Sequence, residues 1–131
     1  MPQREMDHGD VDPAQELIDK VGYIDDLDIF FNKILCAIYL RPEKTKRGII
    51  LTDEIRAEDK YQGKAAVVLK VGPTAFVDDG AAKFHGQSVK VGDWIVFRPS
   101  AGLKMTINAT DCVLIQDVQV ELRIPSPDIV F

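Results

Sequence analysis

Groups that catalyse reactions or bind metals are scarce in this sequence. It has two histidines, His8 and His85, in separate segments, and two cysteines, Cys36 and Cys112, each inside an apolar run. Their spacing fits no metal site, and no glycine-rich turn between a strand and a helix predicts a nucleotide site. We therefore expect no catalytic residue, no metal and no cofactor, and we interpret the chain as a protein that is not an enzyme.

Excess positive charge and long apolar runs are also lacking. The 16 basic residues are outnumbered by 21 acidic ones, for a net charge of −5. Nucleic-acid binding relies on clustered lysine and arginine, so this balance argues against a nucleic-acid partner. No run approaches the roughly 20 apolar residues of a membrane span, and the first residues lack the apolar segment of a signal peptide. We expect a cytoplasmic protein with no membrane contact.

The length of 131 residues and the 46% hydrophobic fraction predict a single core. Composition divides the chain into an acidic N-terminal arm, residues 1–30, and a β-rich domain, residues 31–131. Within an apolar run a cysteine usually behaves as a small buried hydrophobic residue, and we expect this of both thiols.

One short helix is predicted inside the arm. Asp12 can cap it, Pro13 fits its first turn, and Gly22 is placed to end it after about Val21. Its apolar face, which includes Leu17, must dock either on the chain's own sheet or on a neighbour. We expect an intermolecular contact to order the arm.

Short β segments separated by turns follow from residue 32 onwards. They predict an all-β barrel or sandwich. The segments are Ile34–Leu40, Ala65–Val71, two pieces within Val89–Phe97, Lys104–Asn108, Cys112–Ile115 and the alternating run Val118–Ile124.

Two apolar features predict a homo-oligomer. The strand Ile34–Leu40 is apolar on both faces, of which one barrel is expected to bury only one, and the tail Pro125–Phe131 ends in large apolar side chains. The tail either folds back or binds a neighbour. The predicted oligomer interface comprises Ile34, Cys36, Ile38, Leu122, Ile124, Ile129 and Phe131.

The most unusual connection carries Gly48, Ile49, Ile50 and Leu51 between two polar runs. Loops normally cross the surface and are polar, so three large aliphatic residues in one have two explanations. They form a short buried strand, or they are an exposed tip that binds a partner.

Three segments carry a family resemblance: Gly48–Thr52, Gly63–Gly72 and Val89–Phe97. Their order resembles that of GroES-like co-chaperonins, the chaperonin-10 family. The resemblance implies a GroES-like small β-barrel, here with an N-terminal arm containing one short helix, that assembles into a ring. It also implies a mobile loop whose tip, Gly48 to Leu51, binds an apolar groove on a GroEL-like chaperonin.

Two functional hypotheses follow. The first is an oligomeric co-chaperonin lid that assists protein folding or capsid assembly. A phage-encoded member of the family falls under this hypothesis. The alternative is a virion structural protein, a capsid decoration or cement protein on a GroES-like barrel, with the major capsid protein as its partner and the virion as its location.

Overall fold

The computed structural model of the chain describes residues 12–41, 50, 52–54, 64–80 and 82–130. Within these ranges, no helix has the length and apolar character needed to cross a membrane. The elements, in chain order, are α1 (Pro13–Val21), β1 (Lys33–Ile38), β2 (Ala65–Val71), β3 (Trp94–Val96), β4 (Leu103–Ile107), β5 (Thr110–Gln116), a first 3-10 helix (Asp117–Gln119), β6 (Leu122–Ile124) and a second 3-10 helix (Pro127–Val130).

Helix α1 begins and ends at the residues that the sequence indicates. The Asp12 carboxylate accepts a hydrogen bond from the Ala14 amide at 3.1 Å, and Pro13 occupies the first turn, where no amide is needed. Gly22 ends the helix with φ 77° and donates its amide to the Ile18 carbonyl at 3.1 Å. The predicted helix is confirmed.

The strands form one six-stranded antiparallel sheet with the order β4-β5-β1-β2-β3-β6. Strand β1 lies at its centre, between β5 and β2, while β4 and β6 stand at its two edges. Strand β2 covers Ala65–Val71, as predicted. The all-β fold with one short helix is therefore confirmed.

Both faces of β1 are buried inside this one chain. Side chains on one face pack with helix α1 in what we call the helix-side core. Strand β1 contributes Leu35 and Ala37 to it, and Tyr39, the residue after the strand, belongs to the same core. Side chains on the other face form the far-side core, to which β1 contributes Ile34, Cys36 and Ile38. The burial of both faces of β1 therefore does not require another subunit, because the chain's own helix covers one of them.

Helix α1 is fixed to this sheet by apolar burial and by one side-chain hydrogen bond. Val21 is fully buried, Leu17 and Ile18 are partly buried against the helix-side core, and the Asn108 amide donates to the Val21 carbonyl at 2.5 Å. Helix α1 therefore docks on its own sheet and needs no neighbour for that. Residues 1–11 of the arm lie outside the described residues, so the intermolecular contact expected to order the arm stays a prediction.

Only the last part of the final predicted strand forms a strand. The alternation from Val118 to Ile124 predicts one half-buried strand, but the chain first forms the 3-10 helix at Asp117 and pairs only from Leu122 onwards. The Asp117 carboxylate accepts from the amide of Val118 at 2.7 Å, a local bond that competes with ladder pairing. Side-chain alternation was a poor guide here because polar contacts set the backbone path.

The segment before β3 also departs from the predicted pair of strands. Only Trp94–Val96 forms a strand, and Lys90 to Asp93 form a turn in which the Asp93 carboxylate accepts from the Lys90 amide at 3.0 Å. Gly92 donates its amide to the Val68 carbonyl at 2.9 Å, which attaches the turn to β2.

Candidate partner-binding loop and its base

The connection from β1 to β2 is the candidate partner-binding loop, and both of its ends are anchored. The Tyr39 amide donates to the Ala65 carbonyl at 2.9 Å, and the Phe97 amide donates to the Lys64 carbonyl at 2.9 Å. Tyr39 and Arg41, at the start of the connection, are both buried. The loop therefore starts and ends on the rigid centre of the sheet.

The tail supports this base. The Tyr39 hydroxyl donates to the Asp128 carboxylate at 2.7 Å, and Asp128 and Pro127 are buried. The ring of Tyr39 also packs edge-to-face on Trp94, with the ring centroids 5.6 Å apart. The described residues of the tail therefore fold back on their own chain, which was one of the two alternatives expected for it.

Of the predicted tip residues, only Ile50 lies among those the structure describes. Its side chain is 69% exposed, and its backbone forms an isolated β-bridge. Gly48, Ile49 and Leu51 lie outside the described residues, as does most of the connection. An exposed isoleucine fits a binding tip better than a buried core strand, since a large aliphatic side chain in water is unfavourable unless something else covers it.

The predicted interface residues fall into three groups. Ile34, Cys36, Ile38 and Ile124 are buried within the chain, so their side chains leave no surface for a neighbour, and this part of the prediction is corrected. Leu122, on the edge strand β6, and Ile129, in the tail, are each about half exposed and stay available. Phe131 lies outside the described residues.

The two thiols are inert structural groups. On the paired strands β1 and β5, Cys36 faces the far-side core and Cys112 faces the helix-side core, so the sheet separates their side chains. Burial raises the pKa of the Cys112 thiol to about 11, and burial together with the nearby Cys112 raises the pKa of Cys36 further. Both remain protonated near neutral pH, where only a thiolate would be reactive.

An open groove of about 700 Å³ lies beside β6. Its lining includes the apolar residues Phe76, Phe84 and Val120 and the charged residues Glu121 and Arg123. In the described part of the chain, no group of three or more acidic, histidine or cysteine side chains could hold a metal ion.

Sequence reasoning missed the two buried acids, Asp117 and Asp128. Asp117 accepts from the Asn32 side chain at 2.9 Å and from the Phe76 amide at 3.0 Å, in addition to Val118. Neither acid has a local signature, because an aspartate in a turn is normally solvated. Their partners are distant in the chain, so only the fold reveals their role.

Comparison with known proteins agrees with this architecture. The family described as the chaperonin 10 Kd subunit matches residues 27–121, well over half of the chain. A relative named co-chaperonin GroES, from Halothermothrix orenii, is 36% identical over 73 residues, which cover 56% of this chain and 69% of that relative. The matched region begins just before β1 and ends just before β6. The chain therefore belongs to the chaperonin 10 family of GroES-like co-chaperonins.

Proposed function

We propose that this protein is a non-enzymatic lid subunit that assembles into an oligomer and binds a GroEL-like chaperonin in the cytoplasm, where it assists protein folding. The binding element is the loop between β1 and β2, tipped by Gly48, Ile49, Ile50 and Leu51. The observation that carries the proposal is the exposure of Ile50, 69%, on a connection whose base is anchored by buried residues.

Docking of this loop balances a loss of conformational entropy against apolar burial. An exposed connection loses conformational entropy when it docks, so its aliphatic side chains must gain enough by burial to offset that loss. Each loop then binds only modestly. Several loops on one oligomer bind together through their high effective concentration, so the lid associates tightly and is released when the partner's grooves close.

The oligomer would use the surfaces that the fold leaves available. Leu122 on the edge strand β6 and Ile129 in the tail remain exposed, and an edge strand is a ready template for pairing with another chain. We include both residues in the proposed subunit interface. Neither the family nor the relative supports the alternative of a virion structural protein.

The substitution Ile50→Asp tests the loop. A charge at the centre of an apolar docking tip should weaken binding to a GroEL-like chaperonin, in the presence of nucleotide, by at least about tenfold, because the loss is repeated on every subunit. The matched control is Leu103→Asp, which places the same charge at an exposed leucine on β4.

Biolayer interferometry gives the affinity, and circular dichroism gives the melting temperature. We expect both variants to keep the wild-type melting temperature within a few degrees. Unfolding of Ile50→Asp alone would show that the triplet is core, and equal chaperonin binding by Ile50→Asp and wild type would refute the proposed tip.

A further inference from the structure

The C-terminal segment, residues 122–130, is linked to both ends of the loop between β1 and β2. It consists of β6, the second 3-10 helix and the two residues between them. At the start of the loop, the Asp128 carboxylate accepts a hydrogen bond from the Tyr39 hydroxyl at 2.7 Å. At the other end, β6 pairs with β3, whose Val96 pairs in turn with Ala65, the first residue of β2. One segment of the chain thus supports the residues on either side of the loop.

The contact at the start of the loop is closed to water. Only 3% of Tyr39 and 3% of Asp128 is exposed, and Pro127, which precedes Asp128, is fully buried. The Tyr39 ring packs edge-to-face on Trp94, and Trp94 pairs with Ile124 of β6. Burying a carboxylate is unfavourable unless hydrogen bonds replace the water it has lost. Apolar packing alone therefore does not account for an aspartate here, whereas a specific contact with Tyr39 does.

The C-terminal segment lies outside the part of the chain that matches the family. The matched region ends at residue 121, so β6 and the second 3-10 helix follow it, while the whole connection from β1 to β2 lies within it. A segment beyond the shared region is thus attached to the element that we propose for partner binding.

The order at the two ends of the loop determines part of the entropy lost on docking. Every residue that becomes ordered only on binding loses conformational entropy, whereas a residue already fixed at the base adds nothing to that loss. Tyr39 and Arg41 are buried at one end, and the Lys64 carbonyl accepts the Phe97 amide at the other. Without the Asp128 contact, the residues around Tyr39 would have to be ordered during docking. In an oligomeric lid this loss would be repeated on every subunit.

We propose that Asp128 is a positioning residue for partner binding, which acts through Tyr39 to hold the base of the loop in its binding-competent arrangement. This inference rests on the proposed function of the loop. Because Asp128 is buried, it presents no surface to the partner. The C-terminal segment thus sets the affinity of the loop without forming part of the binding surface.

Residue-resolved hydrogen exchange of the full chain tests the contact in the absence of any partner. The variant Tyr39→Phe keeps the ring that packs on Trp94 and removes the hydroxyl that binds Asp128. The amides of residue 39 and Phe97 form the hydrogen bonds at the two ends of the loop. In Tyr39→Phe both should exchange about tenfold faster or more, because the loss of a bond to a charged group favours local opening.

The matched control is Ile115→Val, which lowers stability away from the loop. Ile115 is buried in the far-side core and pairs with Ile34, near the end of β1 opposite to Tyr39. We expect this variant to lower the melting temperature by a few degrees, because it leaves a small cavity, and to leave exchange at residues 39 and 97 unchanged. Equal acceleration of these amides in the two variants would show that the Tyr39 bond serves global stability alone, which would overturn the proposal.

Binding to a GroEL-like chaperonin in the presence of nucleotide tests the consequence for function. Tyr39→Phe should weaken binding by about threefold or more, and Ile115→Val should bind as the wild type does. Asp128→Asn keeps an oxygen that can accept the Tyr39 hydroxyl, so it should retain the affinity that Asp128→Ala loses. Analytical ultracentrifugation should give the same sedimentation coefficient for all of these variants.

Three binding results would also overturn the proposal. They are wild-type affinity for Tyr39→Phe, equal losses of affinity for Asp128→Asn and Asp128→Ala, or a changed sedimentation coefficient for Tyr39→Phe, which would assign its loss to assembly. Failure of the loop proposal is distinguishable from these. A wild-type protein that binds no chaperonin would refute the function of the loop, whereas faster exchange in Tyr39→Phe alone would still show that Asp128 fixes the base of the loop.

Discussion

At the scale of single residues, two buried carboxylates join segments that are far apart in the chain. Asp117 links the start of β1, through Asn32, to the segment after β2, through Phe76. Asp128 links the tail to Tyr39 at the base of the loop. A buried carboxylate is acceptable only where hydrogen bonds replace the water it has lost, so each position specifies its partners.

Removing the Tyr39 hydroxyl tests the second of these links. Tyr39→Phe should lower the free energy of unfolding by about 1–3 kcal/mol, because it removes a hydrogen bond to the buried Asp128 carboxylate. Tyr23→Phe is the matched control, since that tyrosine is exposed, and it should change stability by less than about 0.5 kcal/mol. Urea denaturation measures both. A stability loss no larger than that of the control would mean that Asp128 does not depend on this bond.

Glycine is required at position 72 by a close approach of backbones. A Cβ there would clash with the Phe31 carbonyl oxygen and lie 2.8 Å from the Lys33 carbonyl oxygen. Gly72→Ala should therefore destabilise the protein by about 1–3 kcal/mol, since backbone atoms cannot move aside as a flexible side chain would. Gly80→Ala is the control, because nothing lies within 4 Å of its Cβ position. Equal melting temperatures for the two variants would contradict this account.

At the scale of elements, helix α1 acts as a cover for the sheet. It buries Val21 and Ala14 against one face of strands β1, β2 and β5. It thereby covers apolar surface for which the sequence suggested a neighbouring subunit. Its cap is therefore linked to the stability of the whole fold, because a frayed helix would expose the helix-side core.

The substitution Asp12→Ala tests this link. Loss of the bond to the Ala14 amide should lower the free energy of unfolding by about 1 kcal/mol. Asp12→Asn keeps a side-chain oxygen that accepts the same bond, and it should retain most of the stability. Urea denaturation followed by tryptophan fluorescence suits this comparison, because Trp94 belongs to the helix-side core. An unchanged midpoint for Asp12→Ala would mean that the helix does not contribute to the cooperative fold.

At the scale of the whole molecule, the surfaces that remain for partners are spread around one rigid sheet. The proposed binding loop starts at one end of β1, while Leu122, in the proposed subunit interface, lies on the edge strand β6. Because these surfaces belong to different elements, a substitution in one should leave binding at the others intact.

Assembly provides the prediction at this scale. The full chain at micromolar concentration should sediment as an oligomer, and Leu122→Asp should shift it toward monomer, because a charge on an edge strand opposes pairing with another chain. The control is Val91→Asp, at a similarly exposed valine in the turn before β3. Analytical ultracentrifugation distinguishes these outcomes. A wild-type chain that sediments as a monomer would exclude the proposed interface.

The elements that were predicted correctly from the sequence are those specified by short local motifs. The cap at Asp12, the proline after it and Gly22 specified helix α1, and a β-rich run closed by Gly72 specified β2. The all-β class and the family followed from such segments and their order. The apolar loop triplet could be recognised as a candidate site, although among its members the structure describes only Ile50.

Contacts between distant residues decided what the sequence could not. Asn32 and Phe76 lie 85 and 41 residues from Asp117, and their bonds end β5 in a 3-10 helix where alternation predicted a strand. Likewise, an apolar strand sequence indicates that both faces of the strand are buried, but it does not identify the element that buries them. Here the chain's own helix covers one face of β1. The sequence by itself determined the helix, most of the strands and the family, because local backbone preferences and segment order specify these. Burial and the folded tail were decided only by the tertiary structure, because each depends on which distant groups meet.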